Sequence, residues 1–275
     1  MAVVLVTGGT RGVGAGIARV FLRDGADVVV CGRHAPECGI TDGAREARYE
    51  PLDVRDARAG EELCARLARE HGSLDVLVNN AGGTPRRTVA EGEVADHARV
   101  VELNLLAPLF MARAAHRVMR GQPGGGSVLM IGSVSGTRPS PGTAAYGAAK
   151  AGLASLAGSL AAEWAPDGVR VNTLVLGMVG TERLREHFGG GEGKGDGEAG
   201  RDEETRSGGE TRRTDLAALA RTVHAGRLAE PEEVGEACLF LASPRARYVT
   251  GASLAVHGGG ERLALHEATA RPEPP

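Results

Sequence analysis

VVLVTGGTRGVGAGIA, which runs from Val3 to Ala18, is the stretch that decides the fold of this 275-residue chain. An apolar, β-branched run leads directly into a glycine-rich turn, and the residues after the turn follow a helical pattern. Glycine suits such a turn because it lets the backbone bend sharply and approach an anion closely. The start of the following helix presents N–H groups and a positive dipole end to that anion. The stretch therefore predicts a strand, a phosphate-binding loop and a helix.

Six further apolar runs follow along the chain, and they are apolar throughout instead of alternating with polar residues. Such runs are typical of parallel strands covered by helices on both faces. Their alternation with helical patterns predicts a single-domain α/β protein with a Rossmann-type doubly wound parallel sheet of about seven strands. The predicted strands are Val3–Val6, Ala26–Cys31, Tyr49–Val54, Leu74–Asn80, Ser127–Ser133, Val169–Leu176 and Ala252–His257. The predicted helices are Gly14–Asp24, Gly60–His71, Val94–Met119, Ala144–Ala165 and Pro231–Ala242.

A glycine- and charge-rich stretch interrupts this pattern between His187 and Asp215. It holds nine glycines, and after Phe188 its only apolar side chain is Ala199. So little apolar surface cannot offset the entropy lost on ordering, which predicts a flexible insertion over 187–215. We expect one domain over residues 1–260, with a Pro-rich tail over 261–275.

The composition and charge of the chain indicate which partners and which cellular location to expect. The net charge of -3 and the absence of a basic block do not favour a nucleic-acid partner. The four cysteines form no CxxC pair and have no histidines at metal-ligand spacing, so we expect reduced thiols and no metal site. No apolar run approaches the roughly 18 residues that a membrane span needs. These features predict a cytoplasmic protein with no membrane partner.

The glycine turn has the pattern TGxxxGxG, with glycines at 8, 12 and 14. This spacing is not GxGxxG, and a purely structural turn is the alternative. Its position between the first strand and the first helix of a βαβ series favours dinucleotide binding.

The end of the second strand, VVVCGRH, bears on the choice of cofactor. A site for NAD usually has an acid here, whereas an arginine suits the 2′-phosphate of NADP. This chain has Gly32 at the acid's position and Arg33 after it, and Arg11 in the glycine loop supplies a second cation. We therefore expect NADP(H), with NAD(H) as the alternative if both arginines are merely solvated.

A tyrosine and a lysine lie four residues apart in TAAYGAAKAGLA. In a helix, Tyr146 and Lys150 share one face, one turn apart. An ammonium beside a phenol stabilises the phenolate and lowers its pKa, which suits acid–base chemistry on a carbonyl or an alcohol. Ser133 ends the fifth strand, at the sheet edge where α/β proteins bind ligands. Its hydroxyl could polarise a substrate oxygen.

Taken together, the chain resembles the classical short-chain dehydrogenases/reductases, including 3-oxoacyl carrier-protein reductase-like and polyketide ketoreductase-like members. The resemblance covers roughly residues 2–260 apart from the insertion. It rests on the motifs TGGTRGVG, LDV, NNAG, LNLLAP, GSVSG, YGAAK and RVNTL, in that order, and on the closing GRLAEPEEVG and VTGASLAVHGG segments.

The resemblance implies an NADP(H)-dependent oxidoreductase that transfers a hydride between nicotinamide and a ketone or secondary alcohol. Tyr146 is then the general acid for ketone reduction, Lys150 lowers its pKa and binds the nicotinamide ribose, Ser133 polarises the carbonyl, and Asn104 holds a proton-relaying water. The implied cofactor-binding residues are Gly8, Thr10, Arg11, Gly12, Val13, Gly14, Arg33, Asp53, Val54, Asn80, Ala81, Gly82, Tyr146, Lys150, Val179 and Thr181.

Two departures from the family pattern stand out: Leu176–Gly177 replaces the usual Pro-Gly pair, and His257 replaces an acid before the last glycines. We expect a structural role for His257. The insertion falls where the family has its substrate loop, so it is either an enlarged lid or a tolerated addition.

Several questions stay open. The rival functions are an NAD-dependent alcohol dehydrogenase and a dinucleotide-binding sensor without turnover. The substrate is a small carbonyl or alcohol, free or carrier-bound. Arg86 and Arg87 could meet an acidic carrier or an anionic substrate, or could simply be solvated. The resemblance implies a homotetramer or homodimer that pairs through the helices Val94–Met119 and Ala144–Ala165, and the small residues of AAYGAAKAGLASLAGSLAAE would allow close helix packing there.

Overall fold

The computed structural model describes residues 1–182, 184–185 and 216–261. Its strands are β1 (Val3–Thr7), β2 (Asp27–Gly32), β3 (Thr41–Asp42), β4 (Arg45–Glu46), β5 (Arg48–Pro51), β6 (Val76–Asn79), β7 (Gly126–Ser133), β8 (Val169–Leu176) and β9 (Ser253–Val256). Its helices are α1 (Gly12–Arg23), α2 (Ala57–His71), α3 (Val94–Val101), α4 (Ala107–Met119), α5 (Ala144–Trp164), α6 (Leu216–Thr222) and α7 (Pro231–Ala242).

Seven of the strands form one parallel sheet in the order β5-β2-β1-β6-β7-β8-β9. The chain builds outward from β1 in one direction and then from β6 in the other, so the order reverses between these two strands. In doubly wound sheets, ligands bind outside the carboxyl ends of the strands at such a switch point. The predicted Rossmann-type sheet is confirmed. The glycine-rich turn follows β1, so it lies at the switch point between β1 and β6.

Apolar side chains fill the space on both faces of the sheet. Successive residues of β1 alternate between the two cores: Val3 and Leu5 pack under α2, α4 and α5, whereas Val4 and Val6 pack under α1 and α7. This two-sided burial explains why the predicted strands are apolar without alternation. Helices α1 and α7 approach closely at Gly16, where a Cβ atom would lie 2.4 Å from the Pro231 Cβ.

Some predicted elements have different bounds in the structure. The predicted strand Tyr49–Val54 ends at Pro51, so Asp53 and Val54 follow the strand. The predicted helix Val94–Met119 is divided by a π-helical turn, Glu102–Leu106, between α3 and α4. The antiparallel hairpin of β3 and β4 and the short helix α6 were not predicted.

Two of our predictions lie outside the described residues: the insertion over 187–215 and the tail, of which only Glu261 is described. Within the described ranges, no helix is both long and apolar enough to cross a membrane. The same ranges hold no cluster of three or more His, Cys, Asp or Glu side chains placed to bind a metal ion. All four cysteines are free, and three of them are buried.

Candidate functional site

The glycine-rich turn joins β1 to α1 and leaves no space for side chains. Gly8 has a φ of 62° and Gly12 a φ of 54°, in the left-handed region that favours glycine. A Cβ atom on Gly14 would lie 2.3 Å from the Gly8 carbonyl oxygen. Helix α1 begins at Gly12, so its first N–H groups face the same space. These features fit the pyrophosphate of a dinucleotide.

Thr7 and Asn80 hold this turn against the end of β6. The Thr7 hydroxyl donates to the Val78 carbonyl at 3.2 Å and accepts from the N–H groups of Asn80 and Ala81, both at 3.0 Å. The Asn80 side-chain amide donates to the carbonyls of Thr7 and Gly8, at 2.9 and 3.1 Å. The Asn80 side chain therefore shapes the loop. Thr7 was not among the predicted site residues, although its position at the strand end, just before the glycines, was a usable signal.

The ends of β2 and β5 hold the residues predicted to bind the adenosine part of a dinucleotide. Arg11 and Arg33 are exposed, and neither forms an ion pair with any other described residue. The Thr10 side chain lies 3.4 Å from the position of a Cβ atom on Gly32, so it packs against the end of β2. Val54 is buried, and Val13 packs on the core beneath α1.

Asp53 is held by a third arginine that we did not predict. The Arg55 guanidinium donates to both Asp53 oxygens, with the shortest contact at 2.5 Å from Nη2. This hydrogen bonding, opposed by burial and assisted by the positive charges of Arg55 and Arg33, lowers the pKa of Asp53. The carboxylate is thus ionised and largely neutralised by its neighbours.

The segment after β8 lies over the glycine loop. Val179 pairs with Ala229 in a parallel bridge, and the Gly180 N–H donates to the Ala229 carbonyl at 2.8 Å. The Thr181 Cγ2 atom lies 3.4 Å from the position of a Cβ atom on Gly12. The structure thus places Thr181 beside the predicted cofactor loop, whereas Val179 pairs with Ala229.

Ser133 and Tyr146 meet where β7 ends and α5 begins. Burial raises the pKa of Tyr146, and a hydrogen bond between the two hydroxyls partly offsets this effect. Lys150, one turn further along α5, is buried, and its Nζ donates to the Ile131 carbonyl at 2.8 Å. Burial lowers the pKa of this lysine to about 8.

The interaction between Lys150 and Tyr146 differs from our prediction in one respect. Nζ lies 5.6 Å from the centroid of the tyrosine ring, over its face. We expected the lysine to lower the pKa of the phenol, but in this arrangement the ammonium bonds to a backbone carbonyl and Ser133 provides the lowering. The phenol therefore stays protonated at neutral pH, as a proton donor requires.

Asn104 lies in the π-helical turn and is fully buried. Its amide nitrogen donates to the carbonyls of Gly83 and Val100, each at 2.9 Å, and its oxygen accepts from the Gly83 N–H at 3.0 Å. A Cβ atom on Gly82 would lie 2.6 Å from the Asn104 oxygen and 3.4 Å from the Lys150 Nζ. Gly82 therefore lies between these two polar groups, and π-helical turns are frequent at functional sites.

A cleft opens beside Tyr146, between the loop after β6 and the start of α5. Pro85, Val100 and Ala144 give it apolar lining, and Arg87, Asp96 and His97 give it polar lining. This small cleft, which Thr84 and Thr143 also line, lies next to the predicted proton donor.

The two departures from the family pattern lie together. Gly177 donates its N–H to the Val256 carbonyl at 3.1 Å, and a Cβ atom on Gly177 would lie 2.8 Å from the His257 Cβ. His257 therefore packs against the backbone after β8. Its Nδ1 atom is buried and has no hydrogen-bond partner among the described residues.

Comparison with known proteins finds relatives over most of the chain. Residues 2–189 match the family described as short chain dehydrogenase, and residues 203–261 match one described as Enoyl-(Acyl carrier protein) reductase. Cis-4-hydroxycyclohexanecarboxylate dehydrogenase of Sinomonas cyclohexanicum is 36% identical over 94% of this chain and 95% of its own length. The Escherichia coli 3-oxoacyl-[acyl-carrier-protein] reductase FabG is 34% identical over 94% of this chain and 96% of its own. The ligand-free aldohexose dehydrogenase of Thermoplasma acidophilum superposes with a TM-score of 0.79 at 25% identity, covering 94% of this chain and 93% of that one.

Proposed function

Because the chain belongs to the short-chain dehydrogenase/reductase family, we propose that it is an NADPH-dependent ketoreductase. At the level of the family, it is an oxidoreductase that acts on secondary alcohols or ketones. The single observation that carries the finer proposal is the meeting of Ser133, a protonated Tyr146 and Lys150 beside an open cleft.

Each of these side chains has a defined task in ketone reduction. We propose that a substrate carbonyl oxygen accepts one hydrogen bond from the Ser133 hydroxyl and one from the neighbouring Tyr146 hydroxyl. Tyr146 then gives its proton to that oxygen as negative charge develops on it. Bound NADPH supplies the hydride.

Lys150 and Asn104 act behind the tyrosine. We propose that, once NADPH is bound, the buried ammonium would bind the nicotinamide ribose and stabilise the phenolate that proton transfer leaves behind, an effect absent from the Tyr146 pKa described above. We propose that Asn104 holds a water molecule that returns the proton from solvent. A non-catalytic dinucleotide sensor would have no use for this set of groups.

The preference for NADP(H) rests on charge at the end of β2. Arg33 follows β2 and Arg11 lies in the glycine loop; both are exposed without ion-pair partners among the described residues, and Gly32 stands where NAD sites have an acid. The nearby carboxylate of Asp53 is neutralised by Arg55, so it repels a 2′-phosphate weakly. An NAD-dependent alcohol dehydrogenase is the alternative.

A turnover assay tests the proposal. NADPH oxidation is measured with a panel of 3-oxoacyl thioesters, alicyclic ketones and sugar lactones, and NADP reduction is measured with the matching alcohols. The first two substrate classes correspond to relatives whose names specify a 3-oxoacyl and a cyclohexane substrate. Turnover of at least one ketone, with NADPH preferred over NADH, is the expected result. Absence of turnover with tight NADPH binding would favour the sensor.

The pH dependence of reduction follows from Lys150. Its ammonium is present below its pKa of about 8 and is lost above it, while the raised pKa of Tyr146 keeps the phenol protonated. We expect kcat/KM for ketone reduction to be flat near neutrality and to fall roughly tenfold per pH unit well above the pKa of Lys150. Full activity on return to neutral pH would separate titration from unfolding. A rise in kcat/KM across this range would contradict the assignment.

Two further expectations belong to this proposal: a cytoplasmic location and a homotetramer or homodimer. The exposed small residues Ala151, Ser155 and Gly158 on α5 are consistent with close packing between helices of two subunits. Light scattering of the purified protein would give the number of subunits.

A further inference from the structure

The segment after β8 is held over the glycine-rich turn by contacts that the proposed reaction does not explain. Residues 178–182 form this cover segment. The Gly180 N–H donates to the Ala229 carbonyl at 2.8 Å. The Thr181 Cγ2 atom lies 3.4 Å from the position of a Cβ atom on Gly12. The cover segment thus contacts both the residues that precede α7 and the start of α1.

Arg185 ties the cover segment to the start of α7. Its Nη2 atom donates to both carboxylate oxygens of Glu230, at 2.9 and 2.7 Å. Its Nε atom donates to the Gly180 carbonyl at 2.9 Å, and its backbone N–H donates to the Thr181 carbonyl at 2.9 Å. One residue therefore links the backbone of the cover segment to Glu230 through charge-assisted hydrogen bonds.

Glu230 is itself fixed relative to α1. Its backbone N–H donates to the Glu233 carboxylate at 2.8 Å, within the first turn of α7. The next residue, Pro231, packs against α1 at Gly16, where a Cβ atom would lie 2.4 Å from the Pro231 Cβ. Because α1 begins at Gly12, the anchor of Arg185 and the glycine-rich turn belong to one packed unit.

The charges around Glu230 leave its carboxylate to Arg185. Arg227 also lies near Glu230, but its guanidinium donates to both oxygens of Glu233, at 2.7 Å each. The Arg185 and Glu230 side chains are 54% and 56% exposed, so water and salt weaken their pairing. The effects of breaking this ion pair are therefore expected to be moderate.

The carboxylate of Glu182 gives the anchor a task. Its Oε2 atom lies 4.0 Å from the position of a Cβ atom on Gly12, at the turn proposed to bind the pyrophosphate of NADPH. A pyrophosphate bound there would repel this carboxylate, which pushes the cover segment away from the cofactor. The ion pair of Arg185 opposes this push, because it holds the segment on α7.

We propose that the Arg185–Glu230 ion pair holds the cover segment over bound NADPH and thereby slows release of the cofactor. Arg185 is a positioning residue that acts through Thr181. This inference rests on the proposed cofactor site and adds a control on how long that site stays occupied.

The test is the dissociation rate constant of NADPH, measured by stopped-flow fluorescence with excess NADP as the displacing ligand. Arg185→Gln and Glu230→Gln should each raise this rate constant roughly three- to tenfold. The double variant should differ from either single variant by less than about a factor of two, because both substitutions remove the same interaction. Arg185→Lys keeps the positive charge and should retain most of the slow release.

Arg227→Gln is the matched control, because it removes the arginine of the neighbouring ion pair with Glu233. Its dissociation rate constant should equal that of the wild type. Unchanged release from Arg185→Gln, or additive effects in the double variant, would overturn the role of the ion pair and leave the cofactor site intact. If the wild type binds NADH and not NADPH, the same variants are measured with NADH and the same outcomes decide. A wild type that binds neither dinucleotide would overturn the cofactor site and this inference together.

Discussion

Replacing Tyr146 with phenylalanine is expected to lower kcat for ketone reduction by roughly 10²–10⁴-fold, because it removes the proton donor. The phenyl ring keeps the shape of the buried side chain and the face that Lys150 approaches at 5.6 Å. The lost atom is the hydroxyl that shares a hydrogen bond with Ser133. The measurement is kcat at saturating NADPH with the best ketone of the panel, together with the dissociation constant of NADPH.

The two readouts separate a catalytic loss from a structural one. A fall in kcat with an unchanged affinity for NADPH would assign the hydroxyl to the chemical step. Tyr248→Phe removes a phenol from a fully exposed side chain and should leave both values unaltered. Activity that survives Tyr146→Phe undiminished would refute the proposed mechanism.

Replacing Arg33 with aspartate is expected to weaken NADPH binding by roughly 10–100-fold and to reverse the preference between cofactors. The change removes a guanidinium from the end of β2 and places a carboxylate where NAD sites bind the ribose hydroxyls. Loss of one charge-assisted hydrogen bond to a phosphate costs about 1.5–3 kcal/mol, which corresponds to that range. Kd values for NADPH and NADH, measured by nicotinamide fluorescence, would check it.

Arg247→Asp provides the matched control for this charge reversal. Arg247 is exposed and precedes β9, so it lies toward the opposite edge of the sheet from the carboxyl ends of the strands. Its substitution changes the net charge by the same amount and should leave both Kd values within a factor of two. Equal weakening by the two substitutions would mean that net charge alone matters and that Arg33 does not contact the cofactor.

The elements that could be predicted from the sequence are those fixed by local periodicity. Continuous apolar runs and the glycine-rich turn were sufficient for the parallel sheet and its first crossover, because burial on both faces dictates the residues of each strand. The approach of Ser133 to Tyr146 was also predictable. A strand end and the start of the next helix meet at one edge of a parallel sheet, whatever lies between them.

The features that escaped prediction depend on individual side-chain orientations. The pairing of Arg55 with Asp53 is set by the turn after β5, and Arg55 looks like an ordinary surface charge in the sequence. The Asn80 amide bonds to the glycine loop, which only the packing of β1 against β6 reveals. Lys150 donates to Ile131 across the end of β7, and no spacing rule indicates that contact.

The π-helical turn could not be predicted from the sequence for a different reason. Residues 94 to 119 continue one helical pattern, so the sequence predicts a single helix there. A π-helical turn closes each hydrogen bond over five residues instead of four, and it needs only one additional residue. The additional residue does not disturb the pattern of apolar residues, so it cannot be recognised from the sequence. In the structure, the buried Asn104 amide donates to the Val100 carbonyl beside this turn.

This turn also limits how chain length can change during evolution. An α-helix advances by about 100° per residue. Deleting one residue from Glu102–Leu106 would restore regular α-helix and swing α3 by that angle relative to α4. Asn104 would then leave Gly82 and Lys150, and Asp96 on α3 would turn away from Arg87. Descendants of this chain can gain or lose residues in the β3–β4 hairpin at little cost, whereas a single lost codon here would dismantle the proposed proton relay.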